Sequence, residues 1–361
     1  MFKGGVMPFY RDIDTATEAG KRTAERLLRL RRELDAQVPA RTLEETLLLA
    51  TWNIREFGAG KYGGRLPESI HYIAEVVSRF DLVAVQEVRR NLDALNRVRS
   101  VLGPYWKCVF TDTAEGSRGN NERMAFLFDS RKVRFGGLAG ELVIPPLQDG
   151  RRTVGAADQF WRTPFVVGFK CGWSSFSLCT AHILWGSGGG DNPPDRVAEI
   201  KHLAQFMRTR ALDPDSWSQN IVLLGDFNIC DDDDETFKQL TDAGFTVPPE
   251  VRQHPSNAPK SKHYDQIAFF ENDKRLETTG KAGAFDFFQT VFRDPDDEAL
   301  YVPDMGQGYE TDSNDNPRDA QSKNGYWKKW RTFQMSDHLP LWVELRVDYS
   351  NEYLQRKLAE D

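Results

Sequence analysis

Three short stretches of apolar, uncharged residues, each followed closely by polar side chains, constrain the fold of this chain more than any other feature. They cover residues 47–50, 82–85 and 221–224. A strand covered on both faces has this composition, because neither side of it faces water. Amphipathic helices lie between several of the predicted strands, but some strands follow one another directly. This mixture predicts packed mixed sheets covered by helices.

Polar residues stand at the tips of these strands, and a further pair precedes the apolar run 339–343. Because the strands of one sheet bring their tips together, we expect these side chains to cluster. Carboxylate and amide oxygens suit a hard divalent cation, and an imidazole transfers protons near neutral pH. The tip residues are Asn53, Glu87, Asp226, Asn228, Asp337 and His338.

The third tip carries the motif Gly225-Asp226-Phe227-Asn228. On a continuing strand, Asp226 and Asn228 would share one face, because side chains alternate with a period of two. A carboxylate beside an amide suits a site in which the acid orients a water and the amide contacts a phosphate oxygen. Gly225 permits a close backbone approach. Ordinary turn chemistry after a strand is the alternative.

Two carboxylate–imidazole pairs are predicted. His338 needs a partner to fix its tautomer, and Asp265 is positioned for this role in the run 263–267. Glu122 could orient His182 in the same way, which would place one pair on each side of a scissile phosphate. The alternative is that both histidines are ordinary residues at strand boundaries.

The segment 294–329 is long, polar and rich in Asp, Asn, Gly and Pro, which predicts an irregular segment that is functional or disordered. Aromatic and basic residues then interleave over 326–331. Stacking combined with charge is a common way to hold single strands or phosphates, so Trp327, Lys329 and Arg331 are predicted to contact substrate. Ordinary packing of a strand remains the alternative.

Composition limits the classes of protein to consider. The chain has 361 residues and a formal net charge of −7, so any polyanion is held by a local patch or through a metal ion rather than by a global positive field. Four cysteines without a C-x-x-C pair predict a reducing compartment, and we expect a cytoplasmic protein. The chain has no run of 18 apolar residues, so no membrane span is predicted.

Three regions are predicted: an N-terminal helical extension over 1–42, a catalytic domain over 43–348 and a C-terminal tail over 349–361. The helix is expected within residues 14–37, where acidic residues interleave with six basic ones. This interleaving favours a helix docked on the core over a basic arm for nucleic acid.

Seven motifs, in order, resemble those of the endonuclease/exonuclease/phosphatase superfamily, which has the deoxyribonuclease-I-like fold. They are T-W-N-I at 51–54, Q-E at 86–87, N-E-R at 121–123, T-A-H at 180–182, G-D-F-N at 225–228, Y-D-Q-I at 264–267 and S-D-H-L-P-L at 336–341. The resemblance covers roughly residues 47–347. It implies an α/β, four-layered sandwich of two packed mixed β-sheets flanked by helices, here with an N-terminal helix added.

The resemblance also implies roles for single residues. Asn53, Glu87 and Asp337 would form the metal region, with Mg²⁺ as the cofactor and Mn²⁺ as a substitute. The remaining implied roles are water activation by Asp226, phosphate binding by Asn228, general acid–base chemistry by His338 with Asp265, charge stabilisation by His182 with Glu122, and substrate contact by Arg123.

The resemblance implies a divalent-metal-dependent phosphodiester hydrolase. The motif G-D-F-N differs from the G-D-L-N of inositol polyphosphate phosphatases, and Y-D-Q-I lacks their W-C-D-R. We therefore expect a nuclease that acts on DNA, with no membrane partner. A phosphoesterase acting on a small-molecule or lipid phosphoester is the alternative, which the acidic net charge favours. A non-enzymatic binding module is a third hypothesis.

Overall fold

The computed structural model describes residues 8–115, 120–143, 159–186, 190–270 and 275–360. Within them, eleven strands form two mixed sheets that pack face to face. Helices cover the outer face of each sheet. The predicted α/β sandwich of four layers is confirmed.

The first sheet has six strands in the order β10-β11-β1-β2-β4-β3, and only the β1–β2 pair in it is parallel. Its strands are β1 (Thr46–Phe57), β2 (Leu82–Arg89), β3 (Trp106–Phe110), β4 (Glu122–Asp129), β10 (Glu277–Ala284) and β11 (Leu341–Arg346).

The second sheet has five strands in the order β5-β6-β7-β8-β9, with β7 and β8 parallel and the other neighbours antiparallel. Its strands are β5 (Arg134–Glu141), β6 (Phe165–Cys171), β7 (Ser174–His182), β8 (Ile221–Asp226) and β9 (Asp265–Phe270).

Ten α-helices lie in the described residues. They are α1 (Glu18–Gln37), α2 (Pro67–Val77), α3 (Asp93–Leu102), α4 (Pro194–Leu212), α5 (Glu235–Asp242), α6 (Pro249–Arg252), α7 (Glu298–Met305), α8 (Gln307–Glu310), α9 (Ala320–Gln334) and α10 (Ser350–Ala359). Apolar residues of α1, α2, α3 and α9 pack on the first sheet, and those of α4 and α5 pack on the second.

Strand β1 shows why the apolar stretches carry no charge. Leu47 and Leu49 belong to the core that includes both sheets, whereas Leu48, Ala50 and Trp52 belong to the core under the helices of the first sheet. Both faces of the strand are therefore removed from water, as the composition predicted.

Helix α1 is docked on the body of the protein. Leu30 and Leu34 are fully buried against the first sheet's helix layer. Arg22 pairs with Glu68 of α2 at 2.7 Å, and Arg26 pairs with Asp297 at 2.5 Å. Arg22 and Arg26 thus pair with acids outside α1, whereas Lys21 pairs with Glu18 within the helix at 2.9 Å.

The prediction of an irregular segment over 294–329 is wrong for most of its length, because α7, α8 and the first part of α9 lie there. The helices are held by aromatic packing: Trp327 and Trp330 stack with centroids 5.7 Å apart, and both rings contact Tyr301. Propensity in this polar sequence is weak, so tertiary burial decides the structure. Among the described helices, none combines the length and apolar character needed to cross a bilayer.

Candidate active site

The register of the second sheet places three chemically active residues side by side. His182 is the last residue of β7, Asp226 is the last of β8 and Asp265 is the first of β9. In the two ladders His182 pairs with Asp226, and Asp226 pairs with Asp265. Residues separated by 83 positions in the chain, from 182 to 265, thus form one row across three strands.

The approach of β7 to β8 depends on Gly225. Its φ is +137°, and a Cβ added there would lie 2.1 Å from the carbonyl oxygen of Ala181. No other residue type fits without moving one of the two strands. The glycine of the G-D-F-N motif therefore sets the spacing between His182 and Asp226.

The first sheet supplies Asn53 from β1 and Glu87 from β2. Glu87 has a φ of +59°, and the pairing of β2 shifts register around this residue both with β1 and with β4. A non-glycine residue in this region is uncommon and points to a local constraint. The irregularity turns the Glu87 carboxylate to accept a hydrogen bond from the Glu56 amide at 2.6 Å.

Asn53 joins the contributions of the two sheets. Its Nδ2 donates to Glu87 Oε1 at 3.2 Å and to Asp226 Oδ2 at 2.8 Å. A second polar link lies beside it, where Gln86 Nε2 donates to Thr180 Oγ1 at 2.8 Å. These buried bonds fix the sheets relative to each other at the edge where the site forms.

His338 reaches the same edge from the loop that precedes β11. The Trp52 indole donates to the His338 carbonyl at 2.9 Å, and the His338 amide donates to Ser336 Oγ at 3.1 Å. The ring Nδ1 lies 2.8 Å from Asp265 Oδ2, which fixes the orientation of the imidazole as the sequence predicted.

The charge environment of His338 favours its protonated form. Burial disfavours the imidazolium, but the charges of Asp265 and Asp226 and the hydrogen bond that the ring donates to Asp265 outweigh it and raise the pKa of His338 well above 6.5. The protonated form of His338 is therefore favoured over that of a free histidine side chain.

The second carboxylate–imidazole pair joins Glu122 and His182. Glu122 Oε2 lies 2.9 Å from His182 Nδ1 and 3.0 Å from Arg162 Nε. Burial favours the neutral acid, but the hydrogen bond and charge of His182, together with Arg162 and Arg89, lower the pKa of Glu122 to about 2. Burial and Arg162 oppose the protonation of His182, yet Glu122 and Asp226 raise its pKa above 6.5.

Both imidazoles face the same oxygen. Asp226 Oδ2 lies 3.6 Å from His182 Nε2 and 3.7 Å from His338 Nε2. Each ring is backed on its far nitrogen by its own carboxylate, Glu122 or Asp265. Two proton-carrying groups thus flank one central carboxylate, an arrangement suited to acid–base and charge-stabilising chemistry on an anionic substrate.

Two oxygen groups fit a hard divalent cation. The Oδ1 of Asn53 is buried and has no hydrogen-bond partner among the described residues. It belongs to the residue that contacts the Glu87 carboxylate, so the two supply the neutral and anionic oxygens that Mg²⁺ prefers.

Glu87, Glu122 and His182 also form a group whose ligand atoms lie within 4.8 Å of one another. Glu122 and His182 are already joined by a hydrogen bond, and the Arg162 guanidinium lies 3.0 Å from Glu122. A neighbouring cation opposes the binding of a second one. Asn53 and Glu87 are therefore the better metal-holding pair.

The expectation that Asn228 shares a strand face with Asp226 is wrong. Strand β8 ends at Asp226, and Asn228 has a φ of +53° in the following turn. Its amide N–H donates to Asp226 Oδ1 at 3.0 Å, and its side-chain Nδ2 donates to the Ile183 carbonyl at 2.7 Å. The turn chemistry of the motif, rather than strand alternation, places Asn228 beside the site.

Asp337 and Arg123 lie at the margins of the candidate active site. The Asp337 side chain is 46% exposed, and its Oδ2 lies 3.6 Å from Arg55 Nε, so its nearest ionic partner is a cation. Arg123 lines a small depression together with Glu87, Glu122 and His182, and its guanidinium donates to the Arg90 carbonyl.

Trp327 cannot stack on a substrate, and that prediction is corrected. The residue is fully buried in α9 and donates its indole N–H to Asp294 at 3.1 Å. The helical period explains this, because residues three apart share the buried face. Arg331 donates to the Phe292 carbonyl and lies over the Phe288 ring, so it also serves packing. Lys329 is exposed, and its contact with substrate stays a prediction.

Three further residues near the site were not singled out from the sequence. Arg162 contacts Glu122, Arg196 donates to the Asn228 carbonyl at 2.6 Å, and Glu199 accepts from the Leu184 amide at 2.9 Å. Arg196 and Glu199 occupy positions on the buried stripe of α4. Charged residues at apolar positions of a helical pattern are the signal that could have revealed them.

The fold and the site together define a class of enzyme in which a polar cluster at one edge of two packed sheets hydrolyses phosphoesters. Residues 50–332 match the Endonuclease/Exonuclease/phosphatase family, and the chain belongs to this family of phosphoester hydrolases. Members of the family generally use a divalent metal ion.

The sequence is similar to Deoxyribonuclease-1 of Bos taurus, at 31% identity over 192 residues. The match covers 51% of this chain and 61% of the bovine protein, so the chain spans about six tenths of the length of that relative.

Two solved structures share the fold. The mannosyl-6-phosphatase Bt3783 of Bacteroides thetaiotaomicron aligns with a TM-score of 0.51 at 15% identity, covering 83% of this chain and 99% of that one. An endonuclease/exonuclease/phosphatase family protein of the same organism aligns with a TM-score of 0.51 at 15% identity, covering 84% and 99%.

Proposed function

We propose that this protein is a Mg²⁺-dependent phosphodiesterase that cleaves DNA. The observation that carries the proposal is the position of Asp226 Oδ2 between the Nε2 atoms of His182 and His338, at 3.6 and 3.7 Å. A phosphodiester is a tetrahedral anion that needs a base on one side and positive charge around its oxygens, and these three residues supply both.

The roles of the chain's residues follow from their protonation. Asp226 would accept a hydrogen bond from the attacking water and orient it towards phosphorus. His338, protonated because Asp265 and Asp226 raise its pKa, would donate a proton to an oxygen of the substrate. His182, held by Glu122, would place a second positive charge on the opposite side.

Asn53 and Glu87 would hold the divalent ion, with Mn²⁺ as a substitute for Mg²⁺. When bound, that ion neutralises phosphate charge and stabilises the leaving oxyanion. Asp337 remains a proposed member of the metal region, and Asn228, Arg123 and Lys329 remain proposed substrate contacts.

Sequence similarity supports DNA as the substrate, because 31% identity links the chain to a protein named Deoxyribonuclease-1. A small-molecule phosphoester is the second candidate. The net charge of −7 favours it, because a protein that binds duplex DNA usually gains affinity from an excess of Lys and Arg.

Nicking of supercoiled plasmid by purified protein tests the proposal. We expect cleavage with Mg²⁺, none with EDTA, and almost none with Asp226→Asn. Wild-type protein that leaves the plasmid intact but hydrolyses sugar phosphates or bis-p-nitrophenyl phosphate would establish the second candidate. Inactivity on every phosphoester would refute both.

We propose the catalytic domain as residues 43–348, with a helical extension before it and a tail after it. A cytoplasmic location is supported by the four thiols, Cys108, Cys171, Cys179 and Cys230, since none is in a disulfide.

A further inference from the structure

An exposed tryptophan stands beside the candidate active site. Trp185 follows His182 by three residues, after the end of β7, and 52% of it is exposed to solvent. Single exposed aromatic residues are common on protein surfaces. Trp185 differs from them in its position beside the candidate site and in the contacts that hold its ring.

The ring of Trp185 is held in place although it is exposed. The guanidinium of Arg196 lies 4.7 Å from the ring centroid, and Arg196 is fully buried. Its Nε also donates to the Trp185 carbonyl at 3.0 Å. A buried cation thus supports both the ring and the backbone of this residue, which lowers the entropy cost of using the ring as a binding surface.

A second ring connects Trp185 to the chemistry. Tyr264 meets Trp185 edge to face, with centroids 5.5 Å apart and an interplanar angle of 87°. The centroid of the Tyr264 ring also lies 5.7 Å from that of the His338 imidazole. These two centroid distances place Trp185 no more than about 11 Å from His338.

We propose that Trp185 and Tyr264 form a stacking corner for one unpaired nucleobase of the substrate. The inference rests on the proposed function, and it adds a preference for single-stranded nucleic acid. A phosphate held beside His338 would bring its neighbouring base into the region that Tyr264 and Trp185 border. The two rings stand at nearly a right angle, so a planar heterocycle could stack on one ring while its edge contacts the other.

The physical reason for a single-strand preference is access. Bases in a duplex are stacked and paired, so their faces are closed to a side chain unless the helix is opened. Stacking of a base on an aromatic side chain contributes about 1–3 kcal/mol by alanine substitution. This corresponds to roughly 5- to 150-fold in affinity.

Binding is measured by fluorescence anisotropy with a short labelled single-stranded oligothymidylate in Mg²⁺, in an Asp226→Asn background that does not consume the probe. We expect Trp185→Ala to weaken binding about 5- to 100-fold and Trp185→Phe to keep most of it. Trp173→Ala is the matched control: Trp173 is 41% exposed in the turn before β7, at the opposite end of that strand from His182.

Two further probes separate the base from the backbone. An oligomer of the same length without bases should bind Trp185→Ala and its parent equally, and a hairpin duplex should show less than about a twofold change. An equal loss on the abasic oligomer, or no loss on any probe, overturns the proposal. Competition by mannose 6-phosphate that depends on Trp185 would assign the corner to a sugar and overturns it as well.

The two proposals fail separately. Wild-type protein that cleaves no nucleic acid refutes the nuclease, while binding that depends on Trp185 would still support the stacking corner. Conversely, Mg²⁺-dependent cleavage with unchanged binding by Trp185→Ala would leave the nuclease intact and remove the corner.

Discussion

His182 and Asp226 are register partners on two parallel strands, and His182 Nε2 lies 3.6 Å from Asp226 Oδ2. Their separation is set by the backbone of β7 and β8 rather than by flexible loops. A site built on strands keeps its geometry without large conformational adjustments, which is a requirement for electrostatic stabilisation of a transition state.

We expect Asp226→Asn to reduce turnover by about 10²–10⁴-fold with little change in melting temperature. The amide can still accept hydrogen bonds from Asn53 or Asn228, but it cannot act as a base. Cleavage rate and thermal unfolding measured on the same preparation check this. Asp232→Asn is the control, since Asp232 is exposed and its ion pair is with Arg252, which is not a site residue. Near-normal turnover by Asp226→Asn would remove this residue from the mechanism.

The activity of the wild-type protein should fall as pH rises through the raised pKa of His338, because the proton donor is lost there. Asp265→Asn removes a charge that raises this pKa, so the alkaline limb of the pH–rate profile should move towards 6.5. Asp304→Asn, on α7, should leave the limb in place. An unmoved limb in Asp265→Asn would contradict the assigned pairing.

Glu122→Gln should destabilise the fold in a defined pH window. The pKa of Glu122 is lowered from 4.5 to about 2, so its contribution is complete above pH 4.5 and is lost as pH falls towards 2. The pKa of His182 is raised, so its contribution is complete below pH 6.5 and is lost as pH rises further.

The pair therefore stabilises the protein most between about pH 4.5 and 6.5. Urea unfolding of both proteins across pH 3–8 measures the difference (~0.5 pH steps suffice). A difference that does not depend on pH would show that the loss is one of packing rather than of charge.

Gly225→Ala should destabilise the protein by at least about 2 kcal/mol, because the added Cβ meets the Ala181 carbonyl and the φ of +137° is unfavourable for alanine. Gly140→Ala is the matched control in the same sheet, where a Cβ would meet nothing within 4 Å. Equal melting temperatures of the two variants would argue against the close approach of β7 and β8.

Trp327→Ala should lower the free energy of unfolding by about 3–5 kcal/mol, because it removes a fully buried ring from the stack with Tyr301 and Trp330. At a temperature where the variant is folded, its KM for DNA should be unchanged. Lys329→Ala, two residues further along α9 and on its exposed face, should leave stability unchanged, so any rise of its KM reports a substrate contact.

The residues of the site could be named from the sequence because their local context is unusual. Glu87 closely follows the apolar run 82–85 with no glycine or proline beside it, and Asp226 follows a glycine that only a close strand approach requires. The four residues predicted to converge do lie at one edge of the sheets: Asn53 links Glu87 to Asp226, and His338 links Asp226 to Asp265, through contacts of 2.8–3.7 Å.

Other features could not be predicted because they depend on partners far away in the chain. Strands β3, β5 and β10 lie at or next to sheet edges and lack a continuous apolar pattern, so no local signal marks them. The sequence around Trp327 looks like a binding motif. Only the helix that carries Trp327 and its contact with the Tyr301 ring show that the residue packs in the interior.

The sequence by itself determined the apolar strands, the identity of the polar residues at their tips and the family to which the chain belongs. Only the tertiary structure decided which oxygen faces which nitrogen, that Asn228 lies in a left-handed turn, and that Trp185 stays exposed beside Tyr264. The physical reason is that hydrophobic periodicity is a local property of the chain, whereas register, burial and pKa arise from contacts between residues that only folding brings together.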